Sequence, residues 1–199
     1  MNEFWTILFG SFLIMLILEF ADKTNLIALS LMSSTKKPMI VAIGGLIGIV
    51  IITIIAVLIG SILGEVIPIK IVKLISSLVF IFLGVRGIME YLENQEEEMV
   101  EVDVTPDLST IAILKMSIIL VGFAEIGDKS QISVLTGSTL YNPFAIFLGA
   151  ILGMGVIMGI TALVGKALIE KVPEEKLHLL GSIFFIIAGI VIFIEAIIS

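Results

Sequence analysis

The chain has 199 residues, 59% hydrophobic and 15% charged, with a formal net charge of −7 and a mean hydropathy of +1.24. This balance lies far above a water-soluble average and predicts an all-α integral membrane protein, with room for one membrane domain and no second folded unit. There is no Cys, which excludes a disulfide framework, a CxxC redox pair and a thiolate metal site, and nothing in the composition predicts a nucleic-acid partner.

Met1-Asn2-Glu3 has no basic n-region, and the apolar run after it continues without a small-residue cleavage site. Residues 4–32 are therefore expected to form a first membrane span rather than a removable signal peptide. Inside it stands a charged heptapeptide, Glu19-Phe20-Ala21-Asp22-Lys23-Thr24-Asn25. Lys36-Lys37-Pro38 leads to a second span over 39–64, and Pro68 to Lys70 to a third over 70–92. Between Gly87 and Leu114 there are eight acids and no base, so 93–109 reads as a solvated cytoplasmic connector, with cation gathering as the alternative role. The fourth span, 110–139, carries a second heptapeptide, Glu125-Ile126-Gly127-Asp128-Lys129-Ser130-Gln131. Tyr141-Asn142-Pro143 introduces a fifth span over 143–168, and Lys171 to Lys176 a sixth over 177–198. Pro38 and Pro143 stand where new helices start, the helical position Pro tolerates best. The first and fourth spans would be about 44 Å long as continuous helices, against a hydrocarbon core of about 30 Å, so they have to tilt, protrude or break.

The two halves repeat. The heptapeptides superpose at an offset of 106 residues, and after a one-residue slip an offset of 105 pairs Gly44 with Gly149, Gly48 with Gly153, Gly60 with Gly165, Pro68 with Pro173, Ser77 with Ser182 and Gly84 with Gly189. Residues 1–92 form repeat one and 110–199 repeat two. With three spans each, the repeats enter the membrane from opposite sides, so they are expected to be inverted about a pseudo-two-fold axis in the membrane plane, the layout of many secondary transporters. Lys36, Lys37, Lys115, Lys166, Lys171, Lys176 and Arg86 fall on one side and only Lys70 and Lys73 on the other. The basic side is expected to be cytoplasmic, with both termini outside a prokaryotic plasma membrane.

An ionised side chain at mid-membrane costs about 2.5–3.5 kcal/mol on insertion scales, so the six in the heptapeptides would cost about 15–20 kcal/mol unpaired. Groups that persist against such a penalty mark ion or proton pathways; a plain helix–helix salt bridge is the structural alternative. On a continuous helix Glu19 and Asp22 would share a face, as would Glu125 and Asp128. Asn25 and Gln131 add amide carbonyls, and Thr24 and Ser130 hydroxyls. Such an all-oxygen cluster suits hard divalent cations such as Mn²⁺ and Ca²⁺. Candidate ligands are thus Glu19, Asp22, Asn25, Glu125, Asp128 and Gln131, with Lys23, Thr24, Lys129 and Ser130 as auxiliary oxygen or charge partners. Four carboxylates and two ammonium groups leave −2, which one divalent cation or two protons would cancel. Burial disfavours charged carboxylate, so metal–proton exchange follows naturally.

The doubled Glu-x-Gly-Asp-Lys/Arg-Ser/Thr motif, in a six-span chain of this length, resembles uncharacterised protein family sixteen, the calcium/manganese–proton antiporters. Its second copy fits the pattern fully, and the first has Ala21 in place of the Gly. The resemblance covers essentially the whole chain and implies an antiporter with Glu19, Asp22, Glu125 and Asp128 at the transport site. It implies Mn²⁺ or Ca²⁺ as transported ion, with no prosthetic group. The family's distant ties to amino-acid and cadmium exporters keep an exporter of amino acids or another organic cation as the alternative, beside a divalent-cation channel. The chain is not expected to be an enzyme: an intramembrane protease of the Gly-x-Gly-Asp type needs a Gly where Glu125 stands. A monomer or homodimer is expected.

Other features read more simply. His178 is expected to face solvent, Glu65 and Glu170 to lie at the interface, and Trp5 and Tyr141 to anchor span ends. Gly44-x-x-x-Gly48, Gly60-x-x-x-Gly64, Gly149-x-x-x-Gly153 and Gly155-x-x-x-Gly159 are expected to be close-packing faces.

Overall fold

A backbone in hydrocarbon must satisfy its own N–H and C=O groups, which favours helices for a chain this apolar. The computed structural model describes residues 2–19, 23–92, 108–169 and 174–198, and among the described residues there are eight helices and no strand. They are α1 (Asn2–Glu19), α2 (Lys23–Thr35), α3 (Pro38–Val66), α4 (Ile69–Leu92), α5 (Thr110–Ala124), α6 (Lys129–Leu140), α7 (Pro143–Ile169) and α8 (Glu174–Ile198). Asp22, Glu170 and all but the end of the acidic connector lie outside the described residues.

Each of α3, α4, α7 and α8 holds a stretch long and apolar enough to cross a membrane. The pairs α1–α2 and α5–α6, bent by 62° and 70°, raise the number from four to six if each is one span. These are the two segments too long for a bilayer as straight helices, and each bends at its heptapeptide. Pro38 starts α3 and Pro143 starts α7, where a missing N–H costs no helical bond.

Neither bent pair doubles back. Leu114 and Ser117 of α5 meet Gly44 of α3, and Ile118 meets Gly48; further along, Leu135 of α6 meets Gly60 and Thr139 meets Gly64. Residue numbers rise together on both sides, over about 30 Å of α3, so α6 continues in the direction of α5. In the same way Leu8 and Met15 of α1 meet Gly149 and Gly153 of α7, and Asn25 of α2 meets Thr161. By contrast α4 and α8 run antiparallel. Lys73 Nζ lies 3.4 Å from Glu195 Oε2, Gly84 meets Ser182 and Ile186, and Gly189 meets Ser77 and Ile81.

These contacts come in matched sets. Gly44 with Leu114 and Ser117 corresponds to Gly149 with Leu8 and Ser11, and Gly84 with Ser182 corresponds to Gly189 with Ser77. At each of these crossings a Cβ on the glycine would overlap the neighbouring helix: one on Gly84 would lie 2.6 Å from Ser182 O, one on Gly189 2.9 Å from Ser77 O. The main core, including Leu31, Ile49, Val121, Val134 and Met154, fills the space among α1, α2, α3, α5, α6 and α7. A smaller cluster joins α4 to α8 through Phe80 and Phe185, their rings 5.3 Å apart at 72°. One expected packing face is not one: a Cβ on Gly159 would meet nothing within 4 Å, and one on Gly155 only Leu46 Cδ1 at 3.8 Å. That face of α7 makes no close approach to another helix backbone, a difference that spacing alone does not encode. Trp5, Glu65 and Tyr141 are exposed.

Candidate cation site at the broken helices

The second break is built around one glycine. Gly127 has φ +79°, a left-handed conformation that strains any residue with a Cβ. It ends the α5 ladder, and Asp128 then starts α6 as its N-cap, Oδ2 accepting from Ser130 N at 3.3 Å. Glu125 and Asp128, expected on one face of a continuous helix, are therefore separated by the turn. Glu125 closes α5 and is fully buried, whereas Asp128 and Lys129 are half-buried.

Glu125 Oε2 accepts from Ser130 Oγ at 3.0 Å and from Gln131 Nε2 at 3.4 Å. The same amide nitrogen donates to Thr53 Oγ1 on α3 at 3.2 Å, and the Thr53 hydroxyl lies 4.0 Å from Met154 Sδ on α7. With its nitrogen held on two sides, Gln131 leaves its carbonyl Oε1 buried and without a hydrogen-bond partner. The amides that open α6 favour negative charge beside them, and the last carbonyls of α5 favour positive charge. A buried carboxylate, a spare amide carbonyl and the carbonyl end of α5 together can take a cation, while the α6 amides favour the charged form of the carboxylate.

The first break is wired differently. Glu19, which closes α1, is buried, and Asn25 Nδ2 donates to its backbone carbonyl at 2.7 Å, tying α2 to the end of α1. The other end of that amide is also engaged, since Thr161 Oγ1 on α7 lies 3.0 Å from Asn25 Oδ1 as donor, with Ile157 O at 2.9 Å. Thr24 is buried; the Lys23 side chain, like Asp22, lies outside the described residues. Thus the structure brings together Glu125, Ser130 and Gln131 in one group and Glu19 and Asn25 in another. Among the described residues no three acidic, Cys or His side chains are grouped closely enough to hold a metal ion. The helices of the two breaks do touch, α1 against α6 and α2 against α5.

Thr53 and Thr161 carry no motif and are absent from the sequence expectations. The signal that finds them is isolation: Thr53 is the one polar side chain of α3 before Ser61, and Thr161 the one of α7 before Lys166. In such apolar helices a buried hydroxyl needs a reason.

A family model described as divalent cation/proton antiporter GDT1 matches residues 7–95 and 113–199. Among curated proteins, the chain is 27% identical over 198 residues to GDT1-like protein 3 of Arabidopsis thaliana, covering 90% of this chain and 67% of that one. It is 27% identical to the chloroplastic GDT1-like protein 2 of Oryza sativa subsp. japonica, covering 92% of this chain and 60% of that one. A GDT1-like protein of Schizosaccharomyces pombe is 22% identical over 225 residues, with 89% of this chain and 78% of that one covered. No solved structure matches. With both heptapeptides and all eight helices inside or overlapping the matched residues, the chain belongs to the GDT1 family of divalent cation/proton antiporters.

Proposed function

We propose that this protein exchanges Mn²⁺ or Ca²⁺ for protons through an all-oxygen site at mid-membrane, between two broken helices of two inverted three-span repeats. The observation that carries the reading is Glu125, a fully buried carboxylate beside a glutamine carbonyl that has no hydrogen-bond partner. Glu19, Asp22, Asn25, Glu125, Asp128 and Gln131 form the cation's environment, with Lys23, Thr24, Lys129 and Ser130 as supporting groups. The antiparallel α4–α8 pair and the matched glycine contacts support the inverted arrangement. Lys36 and Lys37 at the α2–α3 turn, with Arg86, Lys115, Lys166, Lys171 and Lys176 on the same side against only Lys70 and Lys73 on the other, support a cytoplasmic placement of that side and external termini.

The mechanism rests on shared charge. A cation entering the site meets carboxylates that protons would otherwise neutralise, so each excludes the other. Whichever occupant is present neutralises the acids and lets the site lose contact with one face of the membrane and gain the other. The test uses purified protein in vesicles holding a pH-sensitive dye. Mn²⁺ or Ca²⁺ flux is expected to move protons the opposite way and to be driven uphill by a pH gradient. The Glu125→Gln variant, folded and inserted, is expected to move neither ion. Metal flux indifferent to the pH gradient, or wild-type flux in that variant, would overturn the reading.

A further inference from the structure

We propose that the cation passes between the site and one membrane surface along the seam of α3 and α6, where Ser138 forms a way-station for a partly hydrated divalent ion. This inference rests on the exchange reading above. The two helices lie parallel and in register: Gln131 bonds Thr53, and seven residues later on both helices Ser138 meets Gly60. Two helical turns, about 10.5 Å, separate these polar levels. Ser138 is 2% exposed, and its Oγ is buried without a hydrogen-bond partner. A hydroxyl in that position is disfavoured in the conformation seen and relieved in one where water or an ion reaches it.

The seam is shut by two devices. Val134 and Ala56, both buried, occupy the turn between the polar levels, an apolar plug next to the site. Beyond it the backbones touch directly: Leu135 O abuts Gly60, and Thr139 O would lie 2.6 Å from a Cβ on Gly64. Beyond the Val134 and Ala56 plug only the small Ser138 side chain lies between the two backbones, so α6 is able to part from α3 there without repacking bulky groups, and at the turn at its base a Cβ on Gly127 would meet nothing within 4 Å. Once parted, the seam presents the Ser138 hydroxyl and the Thr139 carbonyl, hard oxygen donors suited to an ion that keeps some of its water, whereas Leu135 O already accepts from Thr139 Oγ1 at 2.8 Å.

The natural chain contains no Cys, so a single introduced thiol reports cleanly. Ser138→Cys and Val134→Cys variants in vesicles are treated with a small membrane-impermeant methanethiosulfonate reagent, with and without Mn²⁺ and under pH gradients of either sign. Both thiols are expected to react from the side towards which α6 runs, about tenfold faster under one gradient than the other, because the rate follows the open population. Saturating Mn²⁺ is expected to slow the reaction at Val134→Cys. The Ile132→Cys variant, on the face packed towards Phe185, is expected to stay unmodified throughout. Inert Ser138→Cys and Val134→Cys thiols, in vesicles that exchange Mn²⁺ for protons normally, would overturn the route and leave the exchange reading intact. Equal reaction at Ile132→Cys would overturn it too, by showing loosening of α6 as a whole. If metal flux proves uncoupled from protons, the exchange reading fails, and the Mn²⁺-dependence of the same labelling still decides the route.

Discussion

The different wiring of the two amides gives a measurable asymmetry, and Thr161→Val isolates it. Valine keeps nearly the volume of threonine and removes only the hydroxyl that donates to Asn25 Oδ1 at 3.0 Å. Ile157 O lies within α7 and keeps its helical partner, so the loss falls on the Asn25 carbonyl, in a residue only 7% exposed. Leaving a buried acceptor bare costs about 1–3 kcal/mol. For a chain of this size that corresponds to a fall in Tm of about 2–12 °C. Thr161→Ser, which keeps the hydroxyl and loses a methyl, should cost about 0.8 kcal/mol or less. Thermal unfolding in detergent, followed by far-UV circular dichroism, measures both. In the proposed site the bare carbonyl becomes an extra oxygen for the cation, so Mn²⁺ should raise the Tm of the Thr161→Val variant by more than it raises wild type. A Thr161→Val protein that melts with wild type, or a serine variant that falls as far as the valine one, would refute the assigned role of the hydroxyl.

On the proposed exchange reading protons and metal share the same carboxylates, so Mn²⁺ affinity in wild type should fall as pH is lowered; titration calorimetry that finds it constant between acid and neutral pH contradicts the shared site. Gly48→Ala puts a Cβ 2.5 Å from Ile118 O and 3.0 Å from Gly122 N and should cost about 1–3 kcal/mol. Gly159→Ala meets open space and should be neutral or stabilising by up to about 1 kcal/mol, a contrast readable by comparing melting of the two variants. Gly127→Ala has room for its methyl but not for its backbone angle, so it should destabilise by about 1–2 kcal/mol with no steric contribution, seen as a loss that Gly127→Asn partly restores. Cysteines introduced by Asn2→Cys and Glu97→Cys should label from opposite sides of intact cells, the first from outside; labelling of both from one side would break the topology.

Spans and breaks were readable because hydrocarbon imposes strong, local rules. Runs of apolar residues, Pro38 and Pro143 at helix starts, and segments too long for the bilayer all speak within a few residues. The inequality of the two motifs was not readable. Asn25 and Gln131 are equivalent in the repeat, yet their amides are oriented by threonines that are not: at the 105-residue offset Thr53 corresponds to Met158, and Thr161 to Ala56. Only packing reveals that one hydroxyl accepts from an amide nitrogen while the other donates to a carbonyl. Likewise Glu125 and Asp128 look alike in a helical projection, and a single positive φ at Gly127 sends one into the core and makes the other a cap.

The pairing of helices also constrains how the protein is made. The most extensive contacts, α1 with α7, α3 with α5 and α6, and α4 with α8, all join the first half of the chain to the second. During synthesis the early helices therefore emerge with their glycine-lined faces uncovered, and nothing already made can cover them. Assembly waits for the later helices and then proceeds as an interleaving of two sets rather than the stacking of one finished unit on another. Cut in the acidic connector and supplied as two polypeptides, the halves should each be short-lived alone and persist when made together.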